Sequence, residues 1–335
     1  MNIKIYQPDF STTNELNKLL QKKYGKSNNF DYFLDDFNKA FNFCLHNENI
    51  NFYPITGLKE KDLVAHIALI IDKRLPKGEA FFGFLEVPND VSVFNSIWNY
   101  LKEEAERRGI SVLKGPVNGS IWHQYRSIKE TDGSDFFKTE LFCGLYYYNF
   151  LASNKPSAEI SYYSGYREKY DVVLQIIGED AYKKIEATDF SITAKNQITS
   201  QELKKIADIS KTIFNKSWGY TELDETELMQ LYSSEKLNTH LNTLYFLYKG
   251  KEVIGFCSTS KENDDTLILK TIGILPSYQG LGLGNAMAYK IHLDAKKDGY
   301  KKIIYALIRE GNNIKNYPQE EVIIFRRYSA FEFNI

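Results

Sequence analysis

The stretch from residue 270 to 285 combines an apolar run, a proline and alternating glycines in an order that allows few folds. Lys270–Leu275 is rich in β-branched and apolar residues, which favour a strand, and Pro276 ends that strand. Glycine then occupies every second position from 280 to 284, and the residues up to 297 have a helix-forming composition. This order predicts a strand, a tight turn and a helix that begins at the glycines.

Gly280, Gly282 and Gly284 give the backbone two properties that a phosphate site needs. Glycine adopts positive φ without strain, and it has no Cβ atom to keep a ligand away from the backbone amides. The helix that follows adds its own unpaired N–H groups and the positive end of its dipole. The run therefore predicts a cradle for a pyrophosphate, to which Gln279 adds a side-chain amide.

Other interpretations of a glycine run fit this sequence less well. A flexible linker is polar, whereas Leu281 and Leu283 alternate with the glycines here. A dinucleotide-binding fingerprint places G-x-G-x-x-G directly after a strand, and a P-loop places Lys and then Ser or Thr after its last glycine. This chain has G-x-G-x-G followed by Asn285-Ala286, so it matches neither nucleotide motif.

The strand, the proline, the Gln-x-x-Gly-x-Gly run and the helix together resemble the acyl-CoA-binding loop of the GCN5-related N-acetyltransferase (GNAT) family. The resemblance implies acetyl-CoA as the acyl donor, held mainly by main-chain groups, and a strand end that splays from its neighbour to bind the pantetheine arm. It places the cofactor-binding residues at Ile272, Ile274, Leu275, Gln279, Gly280, Leu281, Gly282, Leu283, Gly284 and Asn313.

The same resemblance assigns two catalytic roles. The backbone amide of Ile274 is expected to stabilise the oxyanion, and Tyr317 is expected to protonate the leaving thiolate. The sequence departs from the family here, because the common Asn…Tyr-x-x-x-Gly-Phe ending is absent and Pro318 follows Tyr317 directly. Tyr317 as the acid and Tyr317 as a residue that packs the acyl arm therefore both remain open.

The loop after the first helix of the second half is the expected roof of the acceptor pocket. Trp218 and Tyr220 would form an aromatic wall, and Glu222 or Asp224 would bind an ammonium group. The alternative for the acids is an ordinary helix cap or a solvated charge. The prediction for substrate contacts is Trp218, Tyr220 and Glu222.

The first half of the chain looks like an altered copy of the second. Ala80–Pro88 is followed by a helix from about Val91 to Arg108, a glycine and a further strand, which is the order seen around residue 276. Where the second half has its glycines, the first has Asn89-Asp-Val-Ser-Val-Phe94. Asp90 would set a carboxylate against a phosphate, so we predict that this copy does not bind acyl-CoA.

The fold class predicted from these patterns is α/β with a mixed sheet, in two tandem GNAT-like domains. Each domain is expected to follow a β-α-β-β-α-β order. The degenerate domain is assigned to residues 1–178 and the catalytic domain to residues 186–335, with a short linker near 178–187 and closing strands of the first copy at 155–185.

Composition limits the class of partner. The chain of 335 residues has 42 basic and 43 acidic residues, which gives no electrostatic case for nucleic acid. Its three cysteines and five histidines show no metal-ligand spacing, and no apolar run is long enough to cross a membrane. We expect a cytoplasmic protein without a metal, with a small-molecule amine as partner, no nucleic acid or membrane partner, and a homodimer left open.

The function predicted from the sequence is acetyl-CoA-dependent N-acetylation of a small amine or amino acid-type acceptor, by direct transfer in a ternary complex. Two alternatives remain. One is an acyltransferase with a different acyl donor or acceptor, and the other is a non-catalytic acyl-CoA-binding sensor that keeps the phosphate cradle without an acid and base.

Overall fold

The computed structural model describes residues 4–6, 13–186, 188–232, 243–311 and 322–335, which form two compact units. Unit 1 is built from described residues of Met1–Tyr162, Gly219–Thr221 and Arg326–Ile335, and unit 2 from those of Tyr163–Trp218 and Glu222–Phe325. Among these described residues, no helix combines the length and the apolar character needed to cross a bilayer.

Unit 1 holds an antiparallel β-meander that is preceded by two helices and followed by a third. Its elements are β1 (Lys4–Tyr6), α1 (Thr13–Tyr24), α2 (Phe30–His46), β2 (Ile50–Lys59), β3 (Asp62–Asp72), β4 (Glu79–Glu86), α3 (Val91–Arg107), β5 (Val112–Gly115), β6 (Ser127–Thr131) and α4 (Tyr146–Ser153). The strands lie in the order β1-β2-β3-β4-β5, and β4 and β5 are parallel. The last strand of the chain, β13 (Ile323–Asn334), then pairs with β5, because Phe331 lies opposite Gly115 in an antiparallel register.

Unit 2 begins with part of a strand and a helix, and it then repeats the order of elements that unit 1 has from β1 to β5. The elements of unit 2 are the second part of β7 (Ala158–Arg167), α5 (Asp171–Glu186), β8 (Phe190–Lys195), α6 (Ser200–Phe214), α7 (Glu225–Tyr232), β9 (Thr243–Lys249), β10 (Glu252–Lys261), β11 (Thr266–Ile274), α8 (Leu283–Lys297) and β12 (Lys302–Arg309). A short 3₁₀ turn, Pro276–Tyr278, joins β11 to the glycine run. The strands lie in the order β7-β12-β11-β10-β9-β8.

The mixed α/β fold and the tandem arrangement predicted from the sequence are confirmed. The predicted β-α-β-β-α-β order is incomplete, however, since it omits α2, β2 and α7. Helix α2 has a readable signal: Phe30, Phe33, Phe37 and Phe41 recur every three or four residues, and all four are buried. Such spacing is typical of an amphipathic helix that packs on a sheet.

The predicted linker and closing strands are wrong over residues 172–186, because this stretch forms α5. A run of β-branched residues favours a strand locally, but Val173 and Ile185 are buried in one cluster with Met287 and Ile291 of α8. Packing of this apolar face outweighs the local preference. The strand that does form in this region, β7, contains the division between the units, between Tyr162 and Tyr163.

Helix α6 begins with a side-chain cap, and Thr199 is its N-cap residue. Its hydroxyl accepts from the Glu202 amide at 3.3 Å, and the Glu202 carboxylate accepts from the Thr199 amide at 2.9 Å. This capping box satisfies two amide donors that the helix itself leaves unpaired.

The end of the chain is anchored in unit 1 by a buried ion pair. Arg326 is 2% exposed, and its guanidinium donates to Glu140 at 2.5 Å. Tyr328 donates to the other oxygen of the same carboxylate at 2.6 Å. Burying the Glu140 carboxylate without an opposite charge beside it would destabilise the fold, so Arg326 and Glu140 depend on each other.

Candidate acyl-CoA site

Strands β11 and β12 of unit 2 begin as a parallel pair and then part. Their register runs from Thr266 opposite Lys302 to Leu269 opposite Tyr305, where it ends. Both strands nevertheless continue, β11 to Ile274 and β12 to Arg309. We call the opening beyond Leu269 and Tyr305 the β11–β12 gap.

The backbone of β11 presents two amides to this gap. On its other edge β11 is paired with β10, and the Leu275 amide donates to the Ile254 carbonyl at 2.9 Å. Because backbone groups alternate in direction along a strand, the amides of Ile272 and Ile274 point away from β10. The structure thus places both residues where a ligand could bind as an additional strand.

The glycine loop, Gln279–Asn285, follows directly. Gly280 and Gly282 have φ of +83° and +79°, and a Cβ built on either would meet no atom within 4 Å. A Cβ on Gly284 would meet only Ile274 Cδ1, at 3.8 Å. The space in front of all three is therefore open, and the left-handed backbone at two of them explains why glycine is needed.

The side chains around the glycines divide by burial. Leu281 is 60% exposed at the tip of the loop, whereas Leu283 is buried and begins α8. Gln279 does not reach forward over the loop: its side-chain amide donates to the Ile274 carbonyl at 3.0 Å. Gln279 thus ties the loop to the end of β11, and its side-chain amide occupies the carbonyl of Ile274.

The N-terminus of α8 is open to an anion. Its N-cap is Gly282, no side chain caps it, and its first turn contains no acidic residue. The first helical amides of a 15-residue helix carry the positive end of its dipole, and here they emerge beside Gly280 and Gly284. A diphosphate group fits this arrangement because main-chain donors converge without a competing carboxylate.

A match to a known family agrees with this geometry. Residues 203–317 match the family model described as the acetyltransferase (GNAT) family. This segment belongs to the GNAT family. It extends from α6 past β12, and it includes both the β11–β12 gap and the glycine loop.

Solved GNAT structures share the fold of the whole chain. A tandem GNAT protein from the clavulanic acid biosynthesis pathway aligns with a TM-score of 0.60 at 9% identity, covering 99% of this chain and 98% of that one. A GCN5-related N-acetyltransferase from Sphaerobacter thermophilus aligns with a TM-score of 0.54 at 9% identity, covering 99% and 95%. A GCN5-related N-acetyltransferase from Anabaena variabilis aligns with a TM-score of 0.58 at 8% identity, covering 99% of this chain and 72% of that one. No curated protein sequence gives a significant match.

The equivalent strand end in unit 1 is filled by its own chain. Strands β4 and β5 also part, after Phe81 opposite Lys114. There, however, the Val117 amide donates to the Phe82 carbonyl at 2.8 Å, and the Asn118 side chain accepts from the Phe84 amide at 2.7 Å. The backbone groups that could bind a ligand are occupied.

The helix that follows in unit 1 is closed as well. Asp90 caps α3, since its carboxylate accepts from the Ser92 amide at 2.9 Å and from the Val93 amide at 3.4 Å. Hydrogen bonds from the Ser92 hydroxyl and amide hold the pKa of Asp90 below its usual value. A charged carboxylate therefore sits where the GNAT segment leaves its amides open.

The residues predicted to contact the acceptor are divided between the two units. Tyr220 lies in unit 1, where its ring centre is 6.5 Å from that of Trp122, whereas Trp218 and Glu222 fall in unit 2. Glu222 is 54% exposed at its side chain and forms an ion pair with Lys211 at 2.6 Å. Asp224 caps α7, because it accepts from the Glu227 amide at 2.8 Å.

Two predicted site residues, Asn313 and Tyr317, lie outside the described residues.

Within the described ranges, no group of His, Cys, Asp or Glu side chains is arranged to hold a metal ion. The three cysteines, Cys44, Cys143 and Cys257, are all buried, and none forms a disulfide.

A hydrogen-bonded pair at the base of the gap was not anticipated. His292 of α8 is buried, and its Nδ1 lies 2.7 Å from the Ala288 carbonyl, so this nitrogen carries the proton. Nε2 then accepts from the hydroxyl of Tyr305 at 2.7 Å. Burial lowers the pKa of His292 to about 4 and raises that of Tyr305. The only sequence signal was a histidine on the apolar face of a helix, which is more often a core residue.

Proposed function

We propose that the protein is an acetyl-CoA-dependent N-acetyltransferase whose GNAT segment binds the acyl donor and transfers the acetyl group directly to a small amine or amino acid-type acceptor. The observation that carries the proposal is the combination, in one unit, of a strand pair that opens and an uncapped helix N-terminus behind a glycine loop. The membership of residues 203–317 in the acetyltransferase family supports it.

The residues present fit a coenzyme A thioester. The amides of Gly280 to Gly284 and the first turn of α8 would hold the pyrophosphate, and the edge of β11 at Ile272 and Ile274 would pair with the pantetheine arm. Acetyl-CoA supplies an activated acyl group, which an unprotonated amine attacks with release of the thiol.

The contribution of the chain to the reaction is position and charge stabilisation. The Ile274 amide, on the gap side of β11, is the proposed donor to the carbonyl oxygen as negative charge develops there. Gln279 fixes this strand end through its hydrogen bond to the Ile274 carbonyl. Tyr317 remains the proposed acid. A general base is not assigned, because Glu222 is paired with Lys211.

The direct test is calorimetric titration of acetyl-CoA into the full-length protein and two variants of Gly284. This glycine is chosen because its φ is not in the positive range and its Cβ has room, so a side chain adds charge without backbone strain. Gly284→Glu should weaken binding at least about tenfold, because it sets a carboxylate at the helix N-terminus. Gly284→Gln has the same shape without the charge, so it should bind acetyl-CoA more tightly than Gly284→Glu, and the difference between the two variants measures the effect of the charge.

Stoichiometry and turnover complete the test. Wild-type protein should bind one acetyl-CoA per chain, since only the GNAT segment has an open loop among the described residues, and an amine panel should then release free thiol. Binding without turnover across the panel would favour the sensor. No binding, or equal affinity of the Glu and Gln variants, would contradict the proposed donor site.

A further inference from the structure

A tight loop in unit 1 collects buried polar groups that the acyl-CoA site does not explain. It extends from β5 to β6, and its backbone closes on itself: the Arg126 amide donates to the Pro116 carbonyl at 3.0 Å and the Asn118 amide to the Gln124 carbonyl at 3.0 Å. Val117 and Tyr125 form an isolated antiparallel bridge between these two bonds. These backbone contacts hold three residues in one closed loop: Asn118, Gln124 and Arg126.

Arg126 is the central group of this loop. It is only 6% exposed, and its guanidinium lies against two aromatic rings, 3.5 Å from the ring centre of Tyr125 and 4.1 Å from that of Tyr162. It donates to the Tyr125 hydroxyl, but its Nε–H has no hydrogen-bond partner. No carboxylate within the described ranges forms an ion pair with it. Burying a cation is unfavourable unless a counter-charge is supplied.

Neutral groups around Arg126 are also left unsatisfied. Neither amide atom of Gln124 has a partner, nor does the Asn118 Nδ2, although these residues are 4% and 1% exposed. Buried polar groups in folded proteins are normally hydrogen-bonded, so this concentration in one loop requires an explanation.

Elsewhere in unit 1, a buried arginine and a partly buried one have acidic partners. Arg326 is paired with Glu140, and Arg74 binds both oxygens of buried Asp72, at 2.9 and 2.8 Å. The surroundings of Arg126 therefore differ from the pattern of the same unit. The rings of Tyr125 and Tyr162 stand at 88° to each other and both lie against the guanidinium, whose Nε–H stays unpaired on the edge that can bind a planar anion.

We propose that the loop of Asn118, Gln124 and Arg126 is a binding site for the carboxylate of a small molecule. Arg126 supplies the counter-charge, and the amides of Gln124 and Asn118 supply neutral hydrogen bonds. A carboxylate matches because one guanidinium balances one negative charge, whereas a phosphate would leave part of its charge buried and uncompensated. The site belongs to the unit without the glycine loop, so it does not depend on acetyl-CoA binding by the GNAT segment.

The test uses full-length protein without acetyl-CoA and measures thermal stability and calorimetric binding with the common amino acids at millimolar concentration. The matching amino acid amides serve as probes that lack the carboxylate, and inorganic phosphate is a separate probe. At least one free acid should raise Tm by a few degrees, while its amide and phosphate should not. Repeating the titration with Gly284→Glu separates this site from the donor site, since that variant should respond like the wild type.

Two variants and a control decide the role of the loop. Arg126→Met should abolish the response, whereas Arg107→Met, which removes an exposed arginine of the same unit, should leave it intact. If Arg126→Met does not fold, Gln124→Glu keeps the shape of the side chain and adds a repelling charge, so it should also lose the response. No response to any acid, an equal response to the amides, or an unchanged response in Gln124→Glu would overturn the proposal and leave internal water as the partner of these groups.

Discussion

The two units share one order of elements, β1 to β5 in unit 1 and β8 to β12 in unit 2, but only unit 2 leaves its backbone open at the strand end. In unit 2 the strands part after Leu269 and Tyr305, and α8 starts uncapped at Gly282. In unit 1 the equivalent opening is closed by Val117 and Asn118, and Asp90 caps α3. The comparison teaches that the fold provides the location of an acyl-CoA site, whereas a few local residues decide whether the amides there are available.

The end of β4 shows how completely unit 1 is closed. Glu86 precedes Val87 and Pro88, as Ile274 precedes Leu275 and Pro276 in unit 2. Its buried carboxylate accepts from Lys23 at 2.5 Å and from Tyr147 at 2.9 Å. Side chains of the unit itself therefore occupy this strand end, and a satisfied buried pair contributes to a rigid structure rather than to an open groove.

The largest expected effect is the loss of folding of unit 1 when its last strand, β13, is removed. Deleting residues 326–335 removes β13 from unit 1, orphans the buried Glu140, and takes away Phe331 and Phe333 from the core. Unit 1 should then fail to fold, as should an isolated fragment of residues 1–178, which also lacks β13. Circular dichroism and cooperative thermal melting measure this.

Arg327→Ala is the matched control for the deletion, because it removes only a half-exposed side chain of the same strand and should change the free energy of unfolding by less than about 1 kcal/mol. A cooperative melt of the 1–178 fragment would contradict the assignment of β13 to unit 1. It would support the domain bounds predicted from the sequence.

A second effect, pH dependence, should be common to both units. Burial lowers the pKa of His66 in unit 1 and of His292 in unit 2 from 6.5 to about 4. Between these values the unfolded chain binds more protons, so the free energy of unfolding should fall as pH drops from about 6.5 to about 4, by up to about 3 kcal/mol for each histidine. Urea denaturation across this range measures the loss.

Carboxylates titrate in the same pH range, so a comparison of histidine variants is needed to assign the loss of stability to His292. His292→Gln should flatten the pH dependence of unit 2, while His46→Gln, at an exposed position in α2, should not change that of unit 1. Equal pH profiles of the wild type and His292→Gln would show that this histidine is not buried in its neutral form.

The smallest effect concerns the two helix starts. Asp90→Ala removes the cap of α3 and should lower Tm by roughly 2–4 °C, whereas Asp90→Asn preserves an acceptor and should have little effect. Neither variant should create a second acetyl-CoA site, since Val117 and Asn118 still close the strand opening. A calorimetric stoichiometry of two in Asp90→Ala would show that the cap alone excludes the ligand.

The sequence by itself determined the features that depend on local chemistry. The glycine loop, the strand before it and the helix after it are readable because glycine, proline and apolar periodicity act over a few residues. The absence of glycine at Asn89–Phe94 and the presence of Asp90 likewise predicted a helix start without an open cradle, and the cap geometry shows the carboxylate on those amides.

Only the tertiary structure decided which distant segments share a unit. The affiliation of β13 with β5, the helical state of 172–177 and the pairing of Arg326 with Glu140 depend on contacts between residues far apart in the chain. The contact of the buried Arg126 with two tyrosines is of the same kind, since one of them, Tyr162, is 36 positions away. Local patterns encode φ, ψ and burial period, whereas long-range packing selects the partner among many residues of similar character.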